Sequence, residues 1–332
     1  MKLREELGQI SWSAKEIANL AAIRQFRRAR AGIKLSGIRR SRRRRGEIWA
    51  VSMVRDEADV IEMTVAHLFA QGVDHVLVAD NLSEDGTRDL LVEMSRRDQR
   101  VHVVDDTEPA YFQAAKMTRL ARAAARAGAD WVVPFDADEL WFADEGTLAA
   151  KLRAIAAESA GSTVGVVKAA LHDTIPTGGP SPAITSAECV MDSTPTPPGK
   201  VAIRAHRLMG VVVGNHGAKR VGRTVDGLRI AHLQYRSEAQ VERKARQGLQ
   251  AVLLADAPEY VGVHWSALAE LTPEAITATW AGMQRGEPHP EVHYFAKGPM
   301  VTVRPQAWAG WDPDGLIADA VGKRPPTQDS GI

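Results

Sequence analysis

Asp136, Asp138 and Glu139 close the apolar run in WVVPFDADELW (131–141). Carboxylates this close repel one another, and each is stabilised by water or by a cation. In an extended strand, side chains two apart share a face, so Asp136 and Asp138 are expected to point the same way while Ala137 turns aside. Two carboxylates converging at the carboxyl end of a strand make a hard-oxygen site for Mg2+ or Mn2+, an ion that keeps positions open for substrate phosphates. The plainer alternative is a turn of solvated acids, or a helix that starts at Glu139 and welcomes negative charge. A bare D-x-D is common; its place after the fourth predicted strand gives it weight.

Two other strand ends carry polar groups. In VADNLSEDGTRDLL (78–91), Asp80 ends a strand, and Ser83, Asp85, Gly86 and Thr87 turn the chain into a helix. A carboxylate at Asp80 can accept the imide N–H of a uracil ring, although Asn, Ser, Asp and Gly also serve simply to make a turn. In VRDEAD (54–59), a strand ends in Arg55, Asp56 and Glu57, and Glu57 equally suits a helix start.

The elements that hold these tips alternate. Residues 47–54, 73–80, 100–106 and 130–136 read as buried strands, and 57–72, 83–98 and 111–128 as helices between them, with Gly72 and Gly128 as stops. This spacing predicts a parallel sheet with right-handed crossovers, and ligands of such sheets bind at the carboxyl ends of the strands. Past Asp138 the order loosens. A helix is expected over 145–158, a strand over 163–171, mostly loop over 174–199, strands over 201–217 and 228–235, and helices over 237–256 and from Thr272 to Met283. The loop 174–199 is a candidate acceptor lid.

Hydrophobic content of 45% and charged content of 25% over 332 residues are those of a globular protein with a sizeable core. Cys189 is the lone cysteine, so no internal disulfide forms. No apolar run approaches the roughly 20 residues that span a bilayer. The first residues lack a signal-peptide core, and a cytoplasmic location, peripheral to the inner face of the membrane, is expected. The net charge of +1 hides an asymmetry: 24–45 holds eleven Lys or Arg and no acid, so taking those eleven from +1 leaves −10 for the rest. A helix is expected over 14–31, and the RRSRRRR run (39–45) is expected to be solvated or to lie on anionic lipid.

Taken together and in order, VRDEADVI, VADNLSEDGT, VPFDADEL, GNHG and HLQYRSEAQVERKARQG resemble the family 2-like glycosyltransferases of GT-A fold, in a bacterial subgroup with D-x-D-E and H-x-x-Y-R-S motifs. The resemblance covers 47–250. It implies an α/β, Rossmann-like, mostly parallel sheet with helices on both faces and additional C-terminal helices. The organisation expected is a basic N-terminal helix and arm (1–46), the transferase domain (47–256), a helical extension (257–322) and a disordered tail (323–332). The activity implied is metal-dependent transfer of a sugar from a nucleotide-sugar donor to a glycan or lipid-linked acceptor, with inversion, in the making of cell-envelope polysaccharide.

By the same resemblance, Asp80 contacts the donor base or ribose, and Asp136 and Asp138 hold donor and metal, Mn2+ or Mg2+. His232 completes the metal site, with His216 as its rival. Arg236 neutralises the diphosphate, and Lys116 lies where relatives carry a basic residue near the phosphates. Arg55, Glu57 and Asp85 join the donor-binding candidates; the family pattern does not locate the catalytic base, for which Glu139 and Asp173, with Asp192, are candidates on the acceptor side. Three other classes are considered. A catalytically inactive nucleotide-sugar binder shares all these motifs. A nucleic-acid or membrane binder would use the arginine run, but the acidic body and the lack of an aromatic-rich motif speak against specific nucleic acid. A dehydrogenase is disfavoured because no G-x-G-x-x-G follows a strand.

Overall fold

A computed structural model describes residues 6–11, 20–35, 37–158, 163–255 and 271–322. The first half is the expected alternation. Strands β1 (Ile48–Val54), β2 (His75–Asp80), β3 (Val101–Asp105) and β4 (Trp131–Pro134) are joined by helices α2 (Ile61–Ala70), α3 (Thr87–Arg97) and α4 (Gln113–Ala127), while α1 (Leu20–Gly32) precedes them. β1 pairs in parallel with both β2 and β4, and β2 with β3, giving the order β3-β2-β1-β4. The chain therefore reverses direction across the sheet between β1 and β4. In open α/β sheets that switch point opens a crevice above the carboxyl ends of the strands.

These strands are apolar throughout because both faces are covered. Ile48 and Ala50 of β1, with Val76 and Val78 of β2, pack under α2, α3 and the helix α5 (Leu148–Ala157). Trp49, Val51, Leu77 and Ala79 face the other way, onto Met117, Leu120 and Ala124 of α4. Gly72 ends α2 at a φ of +83°, and a Cβ there would come within 2.7 Å of that of Ala149, so α2 and α5 approach as closely as they do because the residue is glycine.

The second half is antiparallel in the main. After β4 come β5 (Glu139–Ala143), β6 (Val164–Pro176), β7 (Cys189–Asp192), β8 (Thr196–Arg204), the two-residue strands β9 (Gly210–Val211) and β10 (Ala218–Lys219), and β11 (Arg223–His232). β8 pairs antiparallel with β4 and β6, and β11 lies between β5, antiparallel, and β6, parallel. Helices α6 (Glu238–Ala255), α7 (Pro273–Gln284) and α8 (Leu316–Gly322) follow.

Three expectations change here, and the arm is more anchored than its charge alone indicates. Chain order does not loosen at Glu139: that residue begins β5, paired with His232 and wholly buried. The segment 174–199 is not mostly loop, since β6 runs on to Pro176 and β7 and the start of β8 fall within it. The region 257–322 is not wholly helical, because Met300–Val303 forms β12 and extends the sheet beside β7. The arginine run 39–45 is exposed, as expected, while the segment before it is anchored: Ile33 is buried and Leu35 and Ile38 pack against the α4 core, and Arg43 and Arg44 pair with Asp130 and Glu47. The expected tail at 323–332 and part of the helix expected over 14–31 lie outside the described residues.

Candidate functional site

A cleft of about 440 Å3 opens at the β1/β4 switch point. β1 supplies Val54 and Arg55, the turn after β4 supplies Asp136 and Asp138, and β8 and β11 supply Lys200 and His232. Lys244 of α6, Gln113 at the start of α4, and Glu57, Tyr111, His216 and Gln234 complete its polar lining.

The two aspartates do not share one strand face. β4 stops at Pro134, and the residues after it turn, with the Glu139 amide donating to the Asp136 carbonyl at 3.1 Å. A turn rotates successive side chains by something other than the half-turn of a strand, so each aspartate meets its own partners. Asp136, about a third exposed, accepts from Lys200 Nζ at 2.5 Å and from Asn215 Nδ2 at 3.0 Å. Asp138 is buried; it accepts from Lys244 Nζ at 2.6 Å and lies 3.6 Å from Arg236 and 3.8 Å from His232 Nε2. Burial alone would raise the Asp138 pKa, but Lys244, His232 and Arg236 outweigh it and hold the carboxyl far below its ordinary range.

His232 Nδ1 lies 3.2 Å from Asp173 Oδ1, and Thr196 Oγ1 donates to the other Asp173 oxygen at 2.7 Å. A carboxylate only accepts, so Nδ1 carries the proton and Nε2 is turned to Asp138. Burial opposes the charged imidazole, yet the hydrogen bond to Asp173 and the nearby carboxylates raise its pKa overall. Among the described residues, no three or more His, Cys, Asp and Glu side chains gather as a ready metal cage. Asp138 and Nε2 of His232 nevertheless suit a divalent ion by chemistry: one carboxylate oxygen and one imidazole nitrogen whose other nitrogen is fixed by a second carboxylate. His216 gives its Nδ1–H to the Gly199 carbonyl at 2.6 Å and also lines the cleft, but the carboxylate on its side, Asp136, is taken by Lys200 and Asn215.

Glu139 is fully buried behind Asp136. It accepts from the Asp136 amide and Trp141 Nε1, both at 3.0 Å, and sits 2.9 Å from Lys200. Burial pushes its carboxyl up to about 6 against the pull of Lys200. Lys200 itself is raised: burial would favour the neutral amine, but Asp136 and Glu139 prevail. Glu139 and Asp173 thus reach the cleft through Lys200 and His232 rather than opening into it.

The structure moves several candidates out of the cleft. Lys116 is wholly buried, 2.7 Å from Asp106 and bonded to the Glu108 carbonyl, because α4 turns that position into the core. Arg236 is also wholly buried and spends its guanidinium on Glu57, Asp59 and Asp138. Asp85 accepts from Thr87 and from the Ala58 amide, tying the start of α3 to the turn before α2. Asp80 ends β2 one strand from the switch, is buried, and leaves Oδ1 with no hydrogen-bond partner among the described residues. Glu57 lines the cleft, with burial raising its pKa against Arg236 and Lys244. Arg55 also lines it, its Nε unbonded among the described residues and 3.9 Å from Asp56. Lys200 was missed by sequence reasoning; its signal was a single cation heading the apolar run VAI of β8.

A stretch of 89 residues is 35% identical to "Putative teichuronic acid biosynthesis glycosyltransferase TuaG" of Bacillus subtilis (strain 168), covering 26% of this chain and about a third (34%) of that protein's length. Among solved structures, the mannosyltransferase PcManGT from Pyrobaculum calidifontis in complex with GDP-Man and Mn2+ is similar at 18% identity and a TM-score of 0.36, over 86% of this chain and 88% of that one. S. aureus TarS 1-349 in complex with UDP-GlcNAc is similar at 13% identity and a TM-score of 0.33, over 67% and 70%. The model of "Glycosyl transferase family 2" matches residues 50–221, more than half of the 332. That match takes in β1 through β10, the switch point and both aspartates of the turn, and the chain belongs to glycosyl transferase family 2.

Proposed function

We propose that the protein transfers a sugar from a nucleotide-sugar donor bound at the β1/β4 switch point to an acceptor hydroxyl, with inversion and with a divalent cation. The observation that carries this reading is the Asp138–His232 pair at 3.8 Å, oriented by Asp173 and opening on a cleft beside Arg55 and Lys244. Asp138 and His232 would hold Mn2+ or Mg2+, and the ion would supply Lewis-acid stabilisation of charge on the leaving diphosphate.

The chain's own residues do the rest. Arg55 and Lys244 present positive charge to the phosphates from fixed positions, which is where preorganised electrostatics act most strongly. The unbonded Oδ1 of Asp80 suits an N–H donor of the base and supports its assignment to the donor's base end. Asp136 keeps its register through Lys200 and Asn215. Glu139 and Asp173 are given positioning roles, on Lys200 and on His232. The acceptor is taken to be a glycan or lipid-linked sugar of the cell envelope, in keeping with the name of the Bacillus relative.

A calorimetric screen of UDP- and GDP-sugars with Mn2+ tests the reading, followed by product-anomer analysis by NMR. Donor binding that needs the ion, weakened at least about tenfold by His232→Gln and little changed by His216→Gln, is expected. Loss confined to the His216 variant would reverse the assignment of the metal-binding histidine, and binding indifferent to both histidines and to metal would end the metal-dependent reading.

A further inference from the structure

A second cavity, of about 570 Å3, lies on the outer side of α4 and shares no lining residue with the cleft. α4 joins the two. Gln113 at its start lines the cleft, while Arg119, Arg122 and Arg126 on its later turns line the cavity. At 1.5 Å per residue, Gln113 and Arg122 are about 13 Å apart along the axis. Arg30 comes from α1, Arg39 and Arg40 from the segment after it, and Arg207 from the turn after β8. The floor is apolar, made by Phe26, Leu35, Ile38 and Ala123.

Seven arginines therefore line one cavity, and among the described residues no carboxylate lines it. Arg207 approaches Glu6 at 3.9 Å; the other six form no ion pair with an acid among the described residues. Their hydrogen bonds go to neutral carbonyls: Arg119 to Ile33, Arg122 to Met209 and Leu208. Arg122 also lies over the Phe26 ring at 5.3 Å. Burial lowers the pKa of Arg119, Arg122 and Arg126, and neighbouring arginines lower it further. Such an arrangement is held against its own repulsion by the packing of α1 on α4. Guanidinium forks match the oxygens of a phosphate in pairs, and several of them around one partly buried floor suit more than one phosphate charge.

We propose that this arginine cavity is a binding site for a phosphate-bearing ligand of at least two negative charges, whether free in solution or the headgroup of a lipid. The proposal stands on this cavity alone and holds whatever sugar the cleft takes.

The test uses the full chain at fixed ionic strength, with inorganic pyrophosphate as the soluble probe and vesicles with and without anionic phospholipid as the membrane probe. Arg40→Gln/Arg126→Gln is compared with Arg96→Gln/Arg304→Gln, which removes the same charge from distant surfaces. Pyrophosphate should bind and raise the melting temperature of the wild type, and the cavity variant should lose affinity by about tenfold or more while the surface variant changes less than about twofold. Vesicle binding that pyrophosphate competes away would identify a lipid headgroup as the source. Pyrophosphate binding without vesicle binding would identify a soluble phosphate. No pyrophosphate binding by the wild type, equal loss in both variants, or vesicle binding that pyrophosphate leaves untouched would each overturn the proposal. Melting curves without ligand show that the cavity variant is folded.

Discussion

The cleft and the arginine cavity lie at opposite ends of α4 and treat charge in opposite ways. In the cleft each ion faces its opposite: Asp138 meets Lys244, Arg236 and His232, and Lys200 meets Asp136 and Glu139. In the cavity seven arginines converge with no lining acid among the described residues. Buried charge is tolerated only when paired, whereas half-exposed like charges persist if packing fixes the backbones that carry them. The first cluster therefore supports its own geometry before anything binds. Among the described residues the second finds counter-charge only where Arg207 approaches Glu6, which leaves it open to an anion from outside.

That contrast can be broken, starting with the largest effect. Asp138→Asn removes the carboxylate shared by Lys244, Arg236 and His232, so donor turnover should fall by on the order of 10²–10³-fold. Stability should fall with it, by about 3 kcal/mol in urea unfolding, because Arg236 stays buried with less compensation. An unchanged urea midpoint would mean that the cleft charges do not depend on one another. Lys200→Met comes next. It leaves Asp136 and Glu139 facing each other without a cation, and a loss of about 2–3 kcal/mol is expected, part of it restored by Lys200→Arg.

On the other side of the comparison the sign inverts. Arg126→Gln relieves repulsion, so the unliganded variant should gain about 0.5 kcal/mol at low ionic strength and lose that gain in high salt. A destabilised Arg126 variant would show that the cavity is internally paired after all.

Asp85 serves as a reference, since it belongs to neither cluster and accepts mainly from backbone N–H groups and a hydroxyl. Burial would raise its pKa, but the bonds from Thr87 and Ala58 lower it overall. A carboxyl whose folded pKa is depressed stabilises the fold above its unfolded value, 3.8, and that contribution disappears as pH falls through the folded value. Asp85→Asn should therefore cost about 1 kcal/mol at neutral pH, with the gap to wild type closing below the ordinary carboxylate range in pH-dependent unfolding.

Much of this was legible in the chain itself. The four parallel strands announce themselves as apolar runs because both of their faces are buried, and Gly72 and Gly128 mark helix ends through backbone freedom that other residues lack. The antiparallel half was harder. β7 is only four residues long and β8 opens with Thr-Pro-Pro-Gly, so local pattern reads as loop; pairing with β6 and β12 is what makes them strands. β5 was hidden for a related reason, since its opening Glu139 is acidic and becomes buried only because Lys200 and Trp141 reach it.

The sequence by itself determined the order of strands and helices in the first half, the carboxylates and cations at the strand tips, and the family to which they belong, because periodicity and motif spacing are local properties of the chain. Only the tertiary structure decided which of those groups meet. Lys116 and Arg236 read as phosphate-facing cations, yet helix packing and buried acids enclose both. Asp136 and Asp138, two apart in sequence, acquire separate partners because β4 ends before them. The basic arm reads as solvated charge and its run 39–45 is exposed, yet Ile33, Leu35 and Ile38 fix the segment on α4 and bring Arg30, Arg39 and Arg40 against four more arginines. Contacts between residues far apart in the chain leave no local pattern; they exist because burying apolar surface brings distant segments together, and the charges those segments carry must then settle with whatever they meet.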